Sequence, residues 1–246
     1  MSEGWGGDAS GFTLMLDGGE TIQWRYTTNL GEDLKNAAGD NGTTPDSKPK
    51  PDSKPGAEES TENGTFPFTD AKYHWAKNSI QYVYEKGLMM GTGSNSFTPD
   101  GTLNRAMLAT ILYRMAGSPK VTSWNVFSDV ADNTWYTDAV IWVNENGIVD
   151  GVGDGQFAPM ENVTREQMAA MLYRYAKTCG MHVNQANDLH GYADANEIHA
   201  WAEADMEWVN AEGFVVGRTA ITMEPNDVAT RAEAATILMR FDLMND

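Results

Sequence analysis

Three arginines of this 246-residue chain fall in one frame: Arg105 in "LNRAM", Arg165 in "VTREQ" and Arg231 in "ATRAE". Each follows a helix-capping residue: Asn104, Thr164 or Thr230. Thr230 and Glu233 have the spacing of a capping box, so each arginine is placed in the first turn of a helix. A helix start already carries partial positive charge, and a cation there is unfavourable by about 0.3–1 kcal/mol. Two chemistries account for such a placement. The guanidinium can pair with one of the chain's many acids. Alternatively, it can join the free N–H groups of the helix start in an anion site and fork a carboxylate. The second explains why an unfavourable position is used three times. Capping alone is sufficient explanation for Thr164, Thr230 and Glu233, which would then flank the site.

The elements that position these arginines repeat with them. "YVYEKGLMMGTGSNSFTPDGTLNRAMLATILYRM" (Tyr82–Met115) aligns without gaps to Trp142–Tyr175 at an offset of 60, and Trp142–Tyr175 aligns in turn to Trp208–Phe241 at an offset of 66. Trp75, Trp135 and Trp201 match, as do Gly87, Gly147 and Gly213, then Pro99, Pro159 and Pro225. Each unit opens with "FTD", "FSD" or "YAD". A first helix follows, with apolar residues at helical spacing such as Trp135, Trp142 and Val143, so that most of Trp75, Trp135, Trp142, Trp201 and Trp208 read as core, and Gly147 or Gly213 ends it as a C′ residue. Next comes a loop, clearest in "GVGDGQFAP". Its glycines, with Gly91, Gly151, Gly153 and Gly217 as candidate ligand contacts, first make turns and then let a ligand approach the backbone. A second helix shows an apolar face at helical period: Leu108, Ile111, Leu112 and Met115 in the first unit. Such a unit cannot bury both faces alone, so the three must pack on one another.

Composition narrows the function classes. With 35 acidic against 17 basic side chains the net charge is −18, which disfavours nucleic acid and anionic membranes as partners. The single cysteine, Cys179, precludes an intramolecular disulfide. No apolar run is long enough for a transmembrane helix, and the first residues lack the features of a signal peptide. The four histidines have no paired metal spacing, and no nucleophile-elbow or phosphate-loop motif occurs, so neither catalytic residues nor a metal or cofactor is expected.

Residues 1–39 read as β-rich. "TIQWRYT" alternates as a strand and "GFTLML" is its candidate partner across "LDGGE". Two strands do not make a stable domain, so this stretch reads as the remnant of a truncated one. Residues 40–66 carry "PDSKP" twice and read as a disordered Pro/Ser/Thr linker.

Three copies of "F-x-D…W…G…F-x-P…T-R-A-E", spanning Phe68 to about Met244, resemble S-layer homology repeats, the surface-anchoring modules of bacterial envelope proteins. The resemblance implies a mainly α fold of three helix-loop-helix repeats (67–121, 122–186 and 187–246) packed as a pseudo-threefold trefoil. It also implies non-covalent anchoring to a Gram-positive-type cell wall, with the protein at the peptidoglycan-associated surface. Secondary cell-wall polysaccharide would bind in grooves between repeats through a pyruvylated aminosugar, to which the "TRAE" arginine contributes. A pyruvate ketal is a carboxylate on a sugar, which suits the anion-site reading. The alternatives are the anchor portion of a secreted hydrolase or ligand-binding protein, and a self-assembling S-layer protein. Residues 11–34 more weakly resemble the last strands of a transcobalamin-like C-terminal domain. The repeats depart unevenly from the pattern. Repeat 2 has both a capped arginine and a full glycine loop, so Arg165 is expected to have the best organised anion site and Arg105 the poorest.

Limited proteolysis should cut first between Asp40 and Thr65 and leave a stable fragment beginning near Phe68, identifiable by mass spectrometry of the digest.

Overall fold

The computed structural model describes residues 66–244 and, as backbone alone, two strands: β1 (Gly11–Met15) and β2 (Thr21–Arg25). The chain divides into two compact units, residues 1–62 and 63–246. In the first, β1 and β2 pair antiparallel, with Gly11 opposite Arg25 and Met15 opposite Thr21. This is the hairpin expected of "GFTLML" and "TIQWRYT". The rest of the expected 1–39 remnant, and the linker up to residue 65, lie outside the described residues.

The second unit is helical and repeats three times. Repeat 1 contributes α1 (Lys77–Glu85) and α2 (Arg105–Met115). Repeat 2 contributes α3 (Thr137–Glu145) and α4 (Arg165–Thr178). Repeat 3 contributes α5 (Glu203–Ala211) and α6 (Arg231–Leu243). The first helix of each repeat ends in a Schellman motif at its glycine, because only a residue tolerant of positive φ lets the last carbonyls turn back onto the chain. Gly147 has φ +67°, its N–H bonds Asn144 O at 3.0 Å, and Ile148 N–H bonds Val143 O at 2.8 Å. Gly87 and Gly213 make the same pair of bonds. A second arginine of each repeat, at 114, 174 or 240, then ties the second helix to the end of the first, donating to the carbonyl of Leu88, Ile148 or Phe214.

The long helix contacts run between repeats in a cycle: α2 packs on α3, α4 on α5, and α6 on α1. Trp142 and Trp208 are the buried aromatics of the first two seams, set against Tyr113 and Tyr173 of the preceding repeat. In the third seam the equivalent Tyr82 donates its hydroxyl to Asp242 at 2.8 Å. Trp75, Trp135 and Trp201 differ from the core role their helical spacing suggested. They precede the helices and are about half exposed, 49%, 58% and 51%.

A ring of three backbone hydrogen bonds closes the centre. Leu103 N–H bonds Ala229 O (3.0 Å), Ala229 N–H bonds Val163 O (2.9 Å), and Val163 N–H bonds Leu103 O (2.9 Å). These residues hold the same place in each repeat and are fully buried, so each bond is made where water cannot replace it. The expected pseudo-threefold trefoil is thus a closed cycle.

Ending the chain at residue 186 removes repeat 3 and strips Leu103 N–H, Val163 O and both open seams of their partners. The remaining two repeats should lose cooperative thermal unfolding by circular dichroism rather than melt at a slightly lower temperature.

Candidate functional site

The helix starts meet at the seams, and each start is completed by the next repeat. At α2 the N–H groups of Arg105 and Ala106 bond Glu161 O (2.9 Å) and Pro159 O (2.9 Å). At α4, Arg165 and Glu166 bond Asp227 O and Pro225 O, and at α6, Arg231 and Ala232 bond Gly101 O and Pro99 O. The next N–H goes to the cap: Asn104 Oδ1 at α2, Thr164 Oγ1 at α4 and Thr230 Oγ1 at α6. Full capping boxes form at Thr164–Gln167 and Thr230–Glu233. The helix-start N–H groups expected to be free for an anion are therefore occupied by protein.

The arginines follow the same cycle. Arg231 donates from Nε to Phe97 O (2.9 Å) and from Nη2 to Met90 O (2.7 Å), both in repeat 1. Arg165 donates from Nε to Met223 O (2.8 Å) and from Nη2 to Val216 O (2.7 Å), both in repeat 3. Arg105 donates from Nε to Phe157 O (2.8 Å) in repeat 2. Its Nη2 is buried without a hydrogen-bond partner, since the bond corresponding to Met90 O and Val216 O is not made there. All three side chains are deeply buried, at 7%, 4% and 6% exposure for Arg105, Arg165 and Arg231. Burial lowers each of their pKa values, yet guanidinium stays protonated in proteins, so three cations are held in the seams. Arg231 and Arg105 also lie over the rings of Phe97 and Phe157, at 4.4 and 4.8 Å from the centroids.

The carbonyls these arginines bind are held from the other side by the acid of the lead-in motif, which sequence reading noted only as part of a pattern. Asp70 accepts the N–H groups of Phe97 and Thr98, Asp129 those of Phe157 and Ala158, and Asp194 those of Met223 and Glu224. Thr98, Ala158 and Glu224 all have positive φ (55°, 57° and 51°), a strained geometry kept in place by the carboxylate before it and the proline after it. For Asp70 and Asp194, burial opposes the charged form but these hydrogen bonds outweigh it and lower the pKa. The loop glycines seat the lead-in rings. A Cβ on Gly91, Gly151 or Gly217 would come within 2.5, 2.7 and 2.7 Å of Phe68, Phe127 and Tyr192 respectively. Gly153 is different: its Cβ would meet open space, at φ +107°.

The third direction of each guanidinium distinguishes the seams. Nη1 of Arg165 faces the Glu233 carboxylate at 3.9 Å, whereas Nη1 of Arg231 faces the Met107 sulfur at 3.9 Å. At the repeat 2–3 seam stands a further cation that sequence reading did not single out. Arg218 forks Glu233 (3.0 and 3.3 Å) and touches Glu224 (2.7 Å) and Asp227 (2.6 Å). Burial by itself lowers the Arg218 pKa, but its hydrogen bonds to Glu233 and Glu224 outweigh this and raise it further. The same seam holds buried Glu166, which accepts from His199 N–H (3.1 Å) and lies 2.7 Å from His199 Nδ1. The signal for both was present as departures from the repeat. Arg218 stands where the other loops have Thr92 and Val152, and Glu166 stands where the other helices have Ala106 and Ala232. Among the described residues, no group of three His, Cys, Asp or Glu could hold a metal ion, and no helix is long and apolar enough to cross a membrane.

Residues 67–107, 126–169 and 191–235 each match the S-layer homology domain. The chain is 31% identical over 169 residues to a surface-layer 125 kDa protein of Lysinibacillus sphaericus, covering 68% of this chain and 14% of that protein. It is 29% identical over 179 residues to an endoglucanase of Bacillus sp. strain KSM-635, covering 72% of this chain and 19% of the enzyme. It is 26% identical over 156 residues to a cellulosome-anchoring protein of Acetivibrio thermocellus, covering 62% and 34% of the two chains.

Removing an arginine should destabilise the unit according to the bonds lost, at about 1.5–3 kcal/mol for each charge-assisted bond. Arg231→Ala and Arg165→Ala each strand two carbonyls and should cost about 3–5 kcal/mol. Arg105→Ala strands one carbonyl, relieves an unpaired donor and should cost about 1.5–3 kcal/mol. Urea unfolding of the three variants measures the order.

Proposed function

The chain belongs to the S-layer homology domain family, and from that premise we propose that it is a non-catalytic anchor. It holds a surface protein to the bacterial cell wall by binding secondary cell-wall polysaccharide in the grooves between its repeats. The observation that carries this reading is the kind of relative that shares the segment. A surface-layer protein, an endoglucanase and a cellulosome-anchoring protein differ in the rest of their length, of which the match covers 14%, 19% and 34%. What they share with this chain serves a need common to all three, and attachment to the surface is such a need.

Electrostatics supports an acidic sugar as the recognised group. At a net charge of −18 the protein as a whole repels anions, so attraction has to be local. The buried guanidiniums provide it, because a cation screened from water acts more strongly on a carboxylate nearby. A pyruvate ketal on an aminosugar offers such a carboxylate on a neutral ring. In this reading Arg105, Arg165 and Arg231 set the charge of the three grooves. Thr164, Thr230 and Glu233 hold the helix starts, and Gly91, Gly151, Gly153 and Gly217 shape the facing loops. Several grooves on one rigid body can engage one polymer, which raises avidity by about 10²–10⁴ over a single site. Residues 67–121, 122–186 and 187–246 would be the anchor, and residues 40–66 the spacer to its cargo.

The recombinant chain should pellet with Gram-positive sacculi and stay in solution when the secondary polysaccharide has been stripped and the peptidoglycan left intact. Equal pelleting with stripped walls would refute the polysaccharide as ligand.

A further inference from the structure

The three grooves differ in charge, and the difference lies in one cluster. Around the seam between repeats 2 and 3, two guanidiniums (Arg165 and Arg218) meet three carboxylates (Glu224, Asp227 and Glu233). Glu233 is shared. It takes the fork of Arg218 while lying 3.9 Å from Nη1 of Arg165, the one direction of that guanidinium not used on a backbone carbonyl. In the seam between repeats 3 and 1 the matching residues are Thr92, Thr98, Gly101 and Met107, all neutral. There Nη1 of Arg231 has only a thioether sulfur at 3.9 Å, a weak acceptor. In the seam between repeats 1 and 2, Nη2 of Arg105 has no partner. Glu161 and Asp129 favour the charge of Arg105, and Asp70 that of Arg231, but among the described residues neither guanidinium makes an ion pair within 4 Å, so both retain donor capacity, whereas Arg165 faces the Glu233 carboxylate directly.

We propose that Arg218 and its carboxylates are a built-in occupant of the groove between repeats 2 and 3, closing it to anionic sugars and turning that seam into a structural clasp. An arriving carboxylate would face an excess of carboxylates at a spot where the positive charge is already bound. Glu166 and His199 reinforce the same seam with a second contact that repeats 1 and 3 cannot make at Ala106 and Ala232. Ligand binding then falls to the other two grooves, which reverses the order expected from the caps and glycines, where Arg165 came first. The inference rests on the anionic-glycan reading above.

The test exchanges residues between repeats, each replacement being one the sister repeats already carry. A fourfold variant, Arg218→Thr, Glu224→Thr, Asp227→Gly and Glu233→Gln, opens the clasp. Met107→Glu places the clasp's acid beside Arg231. Isothermal titration uses the methyl glycoside of a pyruvylated N-acetylmannosamine. The fourfold variant should bind one more equivalent than the parent, and Met107→Glu should weaken the parent's binding at least tenfold or remove one equivalent. Unchanged stoichiometry in a folded fourfold variant, or weaker binding, would overturn the clasp, the latter by making Arg218 itself a ligand contact. If the fourfold variant does not fold, Met107→Glu decides alone: the clasp stands if binding weakens and falls if it does not. If neither the parent nor the variant binds the ketal, the pyruvylated-sugar reading fails. Titration with pyruvate then judges the clasp, which survives only if the variant binds and the parent does not.

Discussion

Everything in the helical unit depends on how the first turn of each second helix is satisfied. A helix start leaves N–H groups that have no partner within the helix, and here these groups are buried. Two of them in each repeat are given to carbonyls of the next repeat, and the arginine beside them donates to a further carbonyl of the same segment. Because repeat 1 is completed by 2, 2 by 3, and 3 by 1, no repeat is satisfied until the cycle closes. Stability is thereby tied to the number of repeats: a single unit would leave these groups to water and lose both the seam packing and the bonds between repeats, the latter at about 0.5–1.5 kcal/mol apiece.

The cycle also resolves the conflict between the arginine and the helix dipole. The mismatch is worth some tenths of a kcal/mol, on the order of 0.3–1. Against it stand one or two charge-assisted bonds to backbone carbonyls, each on the order of 1.5–3 kcal/mol. The structural term wins without any ligand. Neither sequence-based explanation, the acid partner or the bound anion, included a carbonyl partner. The reason is physical: the acceptors lie 51 to 141 residues away and are backbone atoms, which carry no sequence signature.

What could be read from sequence was what is local. Caps at Asn104, Thr164 and Thr230, the C′ glycines and the helical period of the second helices each follow from interactions within a few residues. The threefold cycle was legible as well, because gapless self-similarity requires equivalent surroundings. Trp75, Trp135 and Trp201 were misplaced because a spacing of seven says which face a residue would take, not whether the helix extends to it. The F-x-D acids and the second arginines, Arg114, Arg174 and Arg240, recur in frame as plainly as the first. Their recurrence marked them without naming their acceptors, which again are backbone groups.

Repetition also explains why the seams could diverge. The bonds that close the cycle use Nε of the arginines, the N–H groups of the helix starts and the carbonyls of the facing loop (Phe97, Phe157 or Met223 and the proline two residues on), and these are kept in every copy. The side chains around Nη1 are not part of that set. Glu233 and Met107, which both face an Nη1 and hold one position, can differ in charge without disturbing the bonds that close the cycle, although Glu233 also accepts the Thr230 N–H of its own capping box. Under the proposed anchoring function, each seam is thus free to trade binding capacity for internal ion pairing, as long as its arginine keeps its carbonyl. On the same proposal, a chain of three such seams can specialise one as a fastening and leave the others to a ligand, which a single-site domain could not do without losing its function.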